Sequence, residues 1–421
     1  MADSSVHIPA LRNGQSGPAW APLREPLFRS LWVASVISYT GTWMQNVGSG
    51  WLMTQLTTSP LMVSLVTAAM TLPVFLVTLP AGAMADLVDR RRFLLITQGW
   101  MVAASGLLGM FALLSCVRPW VLLLFTFFLG LGAAMNDPAW QAITPEVVSS
   151  ERHAPAVALN SAGFNVARAV GPALGGLVIA WAGSGAAFLL NSASFFGVVF
   201  FLYRWKRPHT EHVEAQKITH AMLDGLRYVR SAPLVRSVLI RTGAFSLCAS
   251  SLLALLPILA RPHGATGYGL LLGSFGLGAL AGAAILPHLR GRLSVDGLVA
   301  AAIIVFALST FAAGRVEGFS WLAVVMFSAG TAWIGILACL NVAAQTMSPS
   351  RMRARALSTY LLVLQGGMAL GSAAWGGLAN RVGVPSTLAA AALALVAGLV
   401  AVRRYRLSME DLQLAPSVVR D

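Results

Sequence analysis

The chain has 421 residues, 57% of them hydrophobic and only 10% charged, against roughly 25% charged in a typical soluble domain. Its 29 Lys and Arg outnumber 15 Asp and Glu. They alternate between connections instead of forming a patch with interleaved aromatics, which excludes the nucleic-acid-binding class. Cys116, Cys248 and Cys339 lie in or beside apolar segments without metal-ligand spacing, so neither a metal nor a cofactor is expected.

Residues 1–26 form a polar tail with Pro9, Pro18, Pro22 and Pro26. The tail lacks a compact apolar core with a cleavage site, so no removable signal peptide is expected. Apolar runs follow at 28–52, 60–85, 93–115, 119–145, 154–181 and 185–203, and again at 236–260, 267–289, 296–314, 319–347, 354–379 and 384–402. Each suits a helix crossing a hydrocarbon core of about 30 Å. The pattern predicts an all-α membrane protein of twelve transmembrane helices. Six fall in 27–203 and six in 236–405, with a linker at 204–235 and a tail at 406–421.

Basic residues predict the orientation. The segments 1–29, 86–92, 146–153, 204–236, 290–296, 351–355 and the C-terminal tail hold 23 of the 29 Lys and Arg. The opposite connections hold Arg118, Arg261, Arg315 and Arg381, while Arg168 and Arg241 fall inside spans. The positive-inside rule then places both termini in the cytoplasm. Within the linker, Ile218, Met222, Gly225, Leu226 and Val229 share one helical stripe, which predicts an amphipathic helix lying on the membrane surface.

The two halves also repeat. Pro26-Leu27-Phe28-Arg29-Ser30 matches Pro233-Leu234-Val235-Arg236-Ser237, and Gly82, Arg90 and Arg92 match Gly282, Arg290 and Arg292. Gly175-Gly176-Leu177 pairs with Gly376-Gly377-Leu378, which sets Ser372-Ala373 where the first half has Gly171-Pro172. Three matches in order predict two pseudo-symmetric six-helix bundles, an architecture of many secondary transporters.

The connection between the second and third spans reads Gly82-Ala83-Met84-Ala85-Asp86-Leu87-Val88-Asp89-Arg90-Arg91-Arg92. It resembles the G-x-L-A-D-R-x-G-R-R motif of the major facilitator superfamily. Gly82, Ala85, Asp86, Arg90 and Arg91 match, whereas Leu87 replaces an arginine and Asp89 a glycine. The Asp-x-x-Asp-Arg-Arg-Arg form is similar to the branch containing the enterobactin exporter and the macrolide efflux proteins. Gly41-Thr42-Trp43-Met44-Gln45 and Asn136-Asp137-Pro138-Ala139-Trp140 point the same way. The resemblance covers about residues 24–405. It implies a multi-pass protein of a bacterial inner membrane, with Asp86 acting as a gate against the cytoplasmic end of the eleventh span.

In the fifth span, Gly163 and then Gly171-Pro172-Ala173-Leu174-Gly175-Gly176 resemble the G-P-x-x-G-G motif of antiporter branches. Pro172 removes a helical hydrogen bond, and the glycines leave a bare surface. The eighth span offers a second bare surface at Gly269, Gly273, Gly276, Gly278 and Gly282, so the two are expected to form a seam.

Intramembrane charges are expensive and therefore functional candidates. Arg241 lies near the end of its span and is expected to snorkel to the surface. Asp137 sits roughly 12 Å from the end of the fourth span, and Arg168 roughly 20 Å into the fifth. Asp137 has two readings: an N-cap at a helix break before Pro138, or a proton-coupling site paired with Arg168. The resemblance places the substrate path between spans 1, 4, 7 and 10, with help from 5 and 11. Tyr39, Trp43, Gln45, Asn46, Asn136, Asn165, Trp333, Asn341 and Gln365 are the candidates there. They describe a mostly neutral, aromatic-edged cavity suited to an amphipathic organic compound.

The expected function is proton-coupled export of such a compound by a monomer, with the bilayer, protons and one small molecule as partners. Import or facilitated passage on the same fold is the alternative. A membrane enzyme or scaffold is disfavoured by the absence of zinc-ligand spacing and of a G-x-S-x-G elbow.

Overall fold

Proline and short polar side chains set where the helices begin. Pro occupies the first turn of α1 (Pro26–Leu56), α4 (Pro119–Val147) and α7 (Pro233–Leu259), where its missing N–H costs no helical bond. α2 spans Pro60–Leu87 and α3 spans Arg90–Leu113. Asp89, which replaces the superfamily's glycine, accepts the Arg92 N–H at 2.8 Å as the cap of α3. Ser294 caps α9 (Val295–Ala313) through the Gly297 N–H. The computed structural model describes residues 20–87, 89–204, 232–347, 353–402 and 405, with side chains described except at 78–87, 90, 142, 144–146, 150 and 354. The predicted linker helix and the tail 406–421 lie outside the described residues.

The fifth and sixth predicted spans form one 52-residue stretch, His153–Arg204, broken at Gly183. With φ 80° and ψ 167°, Gly183 adopts a backbone open essentially to glycine alone. It divides the stretch into α5 (153–182) and α6 (184–204). α8 (Gly264–Arg290), α10 (Phe319–Thr346), α11 (Arg353–Val382) and α12 (Val384–Ala401) complete the bundle. Ten helices of the described residues are long and apolar enough to cross a membrane, with His153–Arg204 counted once and α1 left out. At about 1.5 Å per residue, His153–Arg204 is long enough to cross twice. α1 falls short in hydropathy because Ser35, Ser38, Thr40, Thr42, Gln45, Asn46 and Ser49 interrupt it.

Glycines position α5 between two neighbours. A Cβ on Gly171 would meet Trp43 Cβ at 2.6 Å, and one on Gly175 would meet Met44 Cα at 2.8 Å, both on α1. A Cβ on Gly176 would instead meet the Ala265 carbonyl at 2.7 Å and Gly269 Cα at 3.0 Å on α8. The predicted glycine surface of α8 is therefore split. Gly269, Gly273 and Gly276 face α5, whereas Gly278 and Gly282 face Phe327 and Thr331 on α10. Pro172 leaves the Arg168 carbonyl without its helical donor, and that carbonyl faces Gly276.

α11 uses the same device. Gly371 abuts Leu247 of α7, while Gly366 abuts Phe75 and Gly376 abuts Ser64 of α2. The contacts pair Gly171 with Gly371 and Gly176 with Gly376, an offset of one residue from the expected match. Ser372 thus stands opposite Pro172.

The ends of the bundle differ. At the end opposite the termini, Arg261 before α8 donates to the Thr54 and Thr57 carbonyls at 3.2 and 2.8 Å, capping α1 from the other half. Ser59 donates to Asn380 at 3.1 Å, and Tyr268 lies against Gly50. Val47, Ile179 and Ala187 join the apolar core of the last six helices there. At the end bearing the termini, the clusters around Leu31, Phe93, Trp140 and Leu202, and around Phe28 and Leu159, contain only residues of the first six. Among the described residues the halves meet at the far end and through the middle.

Gly176→Ala and Gly371→Ala should each lower thermal stability by about 1–3 kcal/mol through overpacking against backbone. Gly377→Ala, where a Cβ meets nothing within 4 Å, should be neutral; thermal unfolding of the purified variants measures both. Arg261→Ala removes two charge-assisted bonds worth about 1.5–3 kcal/mol each. It should slow disulfide formation between Ser59→Cys and Asn380→Cys roughly tenfold in a cysteine-free background.

Candidate functional site

Asp137 anchors the candidate site. α4 runs unbroken through Asn136-Asp137-Pro138, so there is no helix break for Asp137 to cap, and that reading is corrected. Asp137 is exposed within its span. A carboxylate facing acyl chains is prohibitively costly, so this face of α4 belongs to the bundle interior. The Asn136 side chain lies beside the carboxylate, and the Tyr39 hydroxyl lies within its field. Asn136 itself is buried and accepts from Gln98 Nε2 at 2.9 Å. Tyr39, Gln98 and Asn136 line a small recess with Ser35, Ser38 and Trp140.

From Tyr39 the wall continues in aromatic rings. Phe164 of α5 stands edge-on to Tyr39 at 5.3 Å and to Trp43 at 6.4 Å. Phe164 is exposed and lies one turn before Arg168. The sequence reading missed Phe164; its position four residues before Arg168 on the same helical face was the available signal. Arg168 is half-buried, and no ion pair joins it to Asp137 among the described residues. Asn165 is half-buried and donates to the Ser161 carbonyl of its own helix.

Several other candidates are placed elsewhere. Gln45 is buried between α1, α3 and α6, where its Oε1 accepts from Ser105 and Asn191, each at 2.6 Å. It ties helices together behind the wall because its turn of α1 faces α6, with Gly41 against Asn191. Trp333 is buried among Phe245, Phe275 and Phe306, with ring centroids 5.4–6.0 Å away, so it is core of the last six helices. Asn341 accepts from Gln345 on α10 at 2.6 Å. Asn46 and Gln365 are half-buried.

Arg241 does not snorkel. It is 8% exposed and pairs at 2.5 Å with Asp296 in the first turn of α9, so its charge is met by a carboxylate of a neighbouring helix. The pairing joins residues 55 positions apart, and no local pattern announces it. Arg91, expected at the gate, donates to the Leu202 and Tyr203 carbonyls at 2.9 and 2.6 Å. It thereby caps the C-terminus of α6, where the helix dipole favours a cation. The side chains of Gly82, Asp86 and Arg90 lie outside the described residues. No group of three or more potential metal ligands occurs among the described residues.

The family model for the transmembrane secretion effectors matches residues 17–419. The multidrug efflux pump Tap of Mycolicibacterium fortuitum is 26% identical over 410 residues, covering 93% of this chain and 99% of that protein. The enterobactin exporter EntS of Salmonella typhimurium is 26% identical over 363 residues, covering 84% and 86%. Among solved structures, the POT family transporter PepTSo has a TM-score of 0.74 at 12% identity, covering 93% and 99% of the two chains. The nucleoside transporter NupG has 0.69 at 14%, covering 90% and 98%. These structural likenesses establish the fold. With a family match over nearly its whole length, the chain belongs to the transmembrane secretion effectors of the major facilitator superfamily and is a membrane transporter rather than an enzyme.

Proposed function

We propose that this transporter exports a small amphipathic organic compound from the cytoplasm, driven by protons entering at Asp137. The carrying observation is an exposed carboxylate within a span, next to the recess that Asn136 and Tyr39 line, from which Phe164 and Trp43 continue an aromatic surface. The 23-to-4 distribution of basic residues supports placing the terminus-bearing end in the cytoplasm. Among the described residues the halves meet at the far end and through the middle, which supports reading the structure as open inward.

Coupling follows from the cost of burying charge. An ionised Asp137 enclosed between the closing halves without water or a partner would be strongly disfavoured. A bound substrate that supplies a hydrogen-bond donor or cation can cover it, and so can a proton. The carrier therefore crosses between its two faces either with substrate or with a protonated Asp137, but not with a bare carboxylate. Protons arriving from outside return the empty carrier inward, and their release inside readies it for substrate.

Asp137→Asn should cut proton-driven accumulation in everted vesicles at least roughly tenfold while leaving substrate exchange at equal pH intact. Full proton-driven uptake by that variant would remove Asp137 from the coupling, and accumulation only in right-side-out vesicles would make the protein an importer. Phe164→Ala should raise KM about five- to tenfold, from aromatic contacts worth roughly 0.5–1.5 kcal/mol each. Trp333→Phe should lower thermal stability with KM unchanged; the two effects are separated by transport kinetics and thermal unfolding.

A further inference from the structure

A groove of about 370 Å³ runs along the outside of the first half between α1 and α6, independent of the transport path. Arg29, Val33 and Ile37 of α1 and Ala193, Gly197 and Phe201 of α6 line it. The surface around it is apolar and exposed, with Val33 44%, Ile37 55% and Phe196 62% exposed, as befits helices that face acyl chains. Arg29 stands in the first turn of α1 at the terminus-bearing end. From there to Ile37 the groove descends roughly 12 Å, most of the depth of one ~15 Å leaflet.

We propose that this groove binds one anionic phospholipid, with its phosphate on Arg29 and an acyl chain along Val33, Ile37 and Gly197. At about 30 Å³ per water-sized group, the volume holds roughly a dozen such groups, which is most of one chain. The cation is available. Its nearest carboxylate in sequence, Glu25, is paired at 2.9 Å with Arg152, and no carboxylate pairs with Arg29 among the described residues. Gly197 is not required by packing, since a Cβ there meets nothing within 4 Å. Its bareness serves the groove and not a helix contact. Basic pockets between spans near the cytoplasmic surface suit anionic headgroups in general.

The second half has a pocket near its corresponding helices but no available cation in it. Its pocket involves the first and last helices of that half, α7 and α12, and is lined by Arg241, Leu395, Gly398 and Val402. Gly398 likewise has nothing within 4 Å of a Cβ. There, however, the arginine is buried and already paired with Asp296, and Leu395 replaces the smaller Ser194. Arg236, which matches Arg29 in the repeat, does not line that pocket, so the two places share a bare glycine but not an equivalent arginine.

The test is native mass spectrometry of the full-length protein titrated with phosphatidylglycerol or phosphatidylcholine. Phosphatidylglycerol should be retained at least fivefold more than phosphatidylcholine. Arg29→Gln should abolish that preference, and Gly197→Leu should reduce retention of both lipids. Equal retention of the two lipids by the unmodified protein would overturn the proposal. So would phosphatidylglycerol occupancy that Arg29→Gln leaves unchanged. Arg29→Gln, at an exposed position, keeps the test decisive if Gly197→Leu fails to fold.

Discussion

Close backbone approach at α5 is the constraint on which the architecture depends. The Gly171/Gly175 face admits α1 and the Gly176 face admits α8, so one helix is held by its own half and by the other half at once. Side chains would push these helices apart, since a single Cβ at Gly176 already collides with backbone. In a bilayer, where apolar burial alone does not drive helices together, such small-residue contacts supply much of the association. They also make a surface with few interlocking side chains.

The same seams fix where the polar groups sit. With α1 pressed against α5, Tyr39 and Trp43 are brought to Phe164, and the wall there becomes aromatic. The back of α1 turns Gln45 toward Ser105 and Asn191. Polar residues of one helix are thereby sorted into those that hold the bundle and those left available. At the far end, Arg261 holds α1 from the opposite half with a cation on a helix C-terminus, a contact that must break whenever that end opens.

Much of the fold was legible because hydrophobic length and charge placement are local properties. The helix bounds agree with the predicted runs to within a few residues, and prolines and caps account for most of the starts. The one-residue shift in the repeat escaped detection because adjacent glycines in Gly175-Gly176 and Gly376-Gly377 look alike in sequence while facing different neighbours. Within the site, chemistry-bearing residues could be identified but their directions could not. Trp333 and Tyr39 are both aromatic residues in spans, yet one is core and the other wall. Arg241 was assigned to the surface because its partner Asp296 lies on another helix. Of the two readings of Asn136-Asp137-Pro138, the cap came from local preference, whereas α4 is continuous through it.

Gly183 has a mechanical consequence. A single residue joins α5 to α6, so the connection has almost no slack, unlike a loop of several residues. Displacement of α5 along α8 is passed directly to α6, and from there through Asn191 and Gln45 to α1. The first half is therefore geared to turn as a unit, with the α5–α6 corner acting as a stiff elbow instead of a tether. The aromatic wall on α1 and α5, the proposed substrate surface, would then move as one piece.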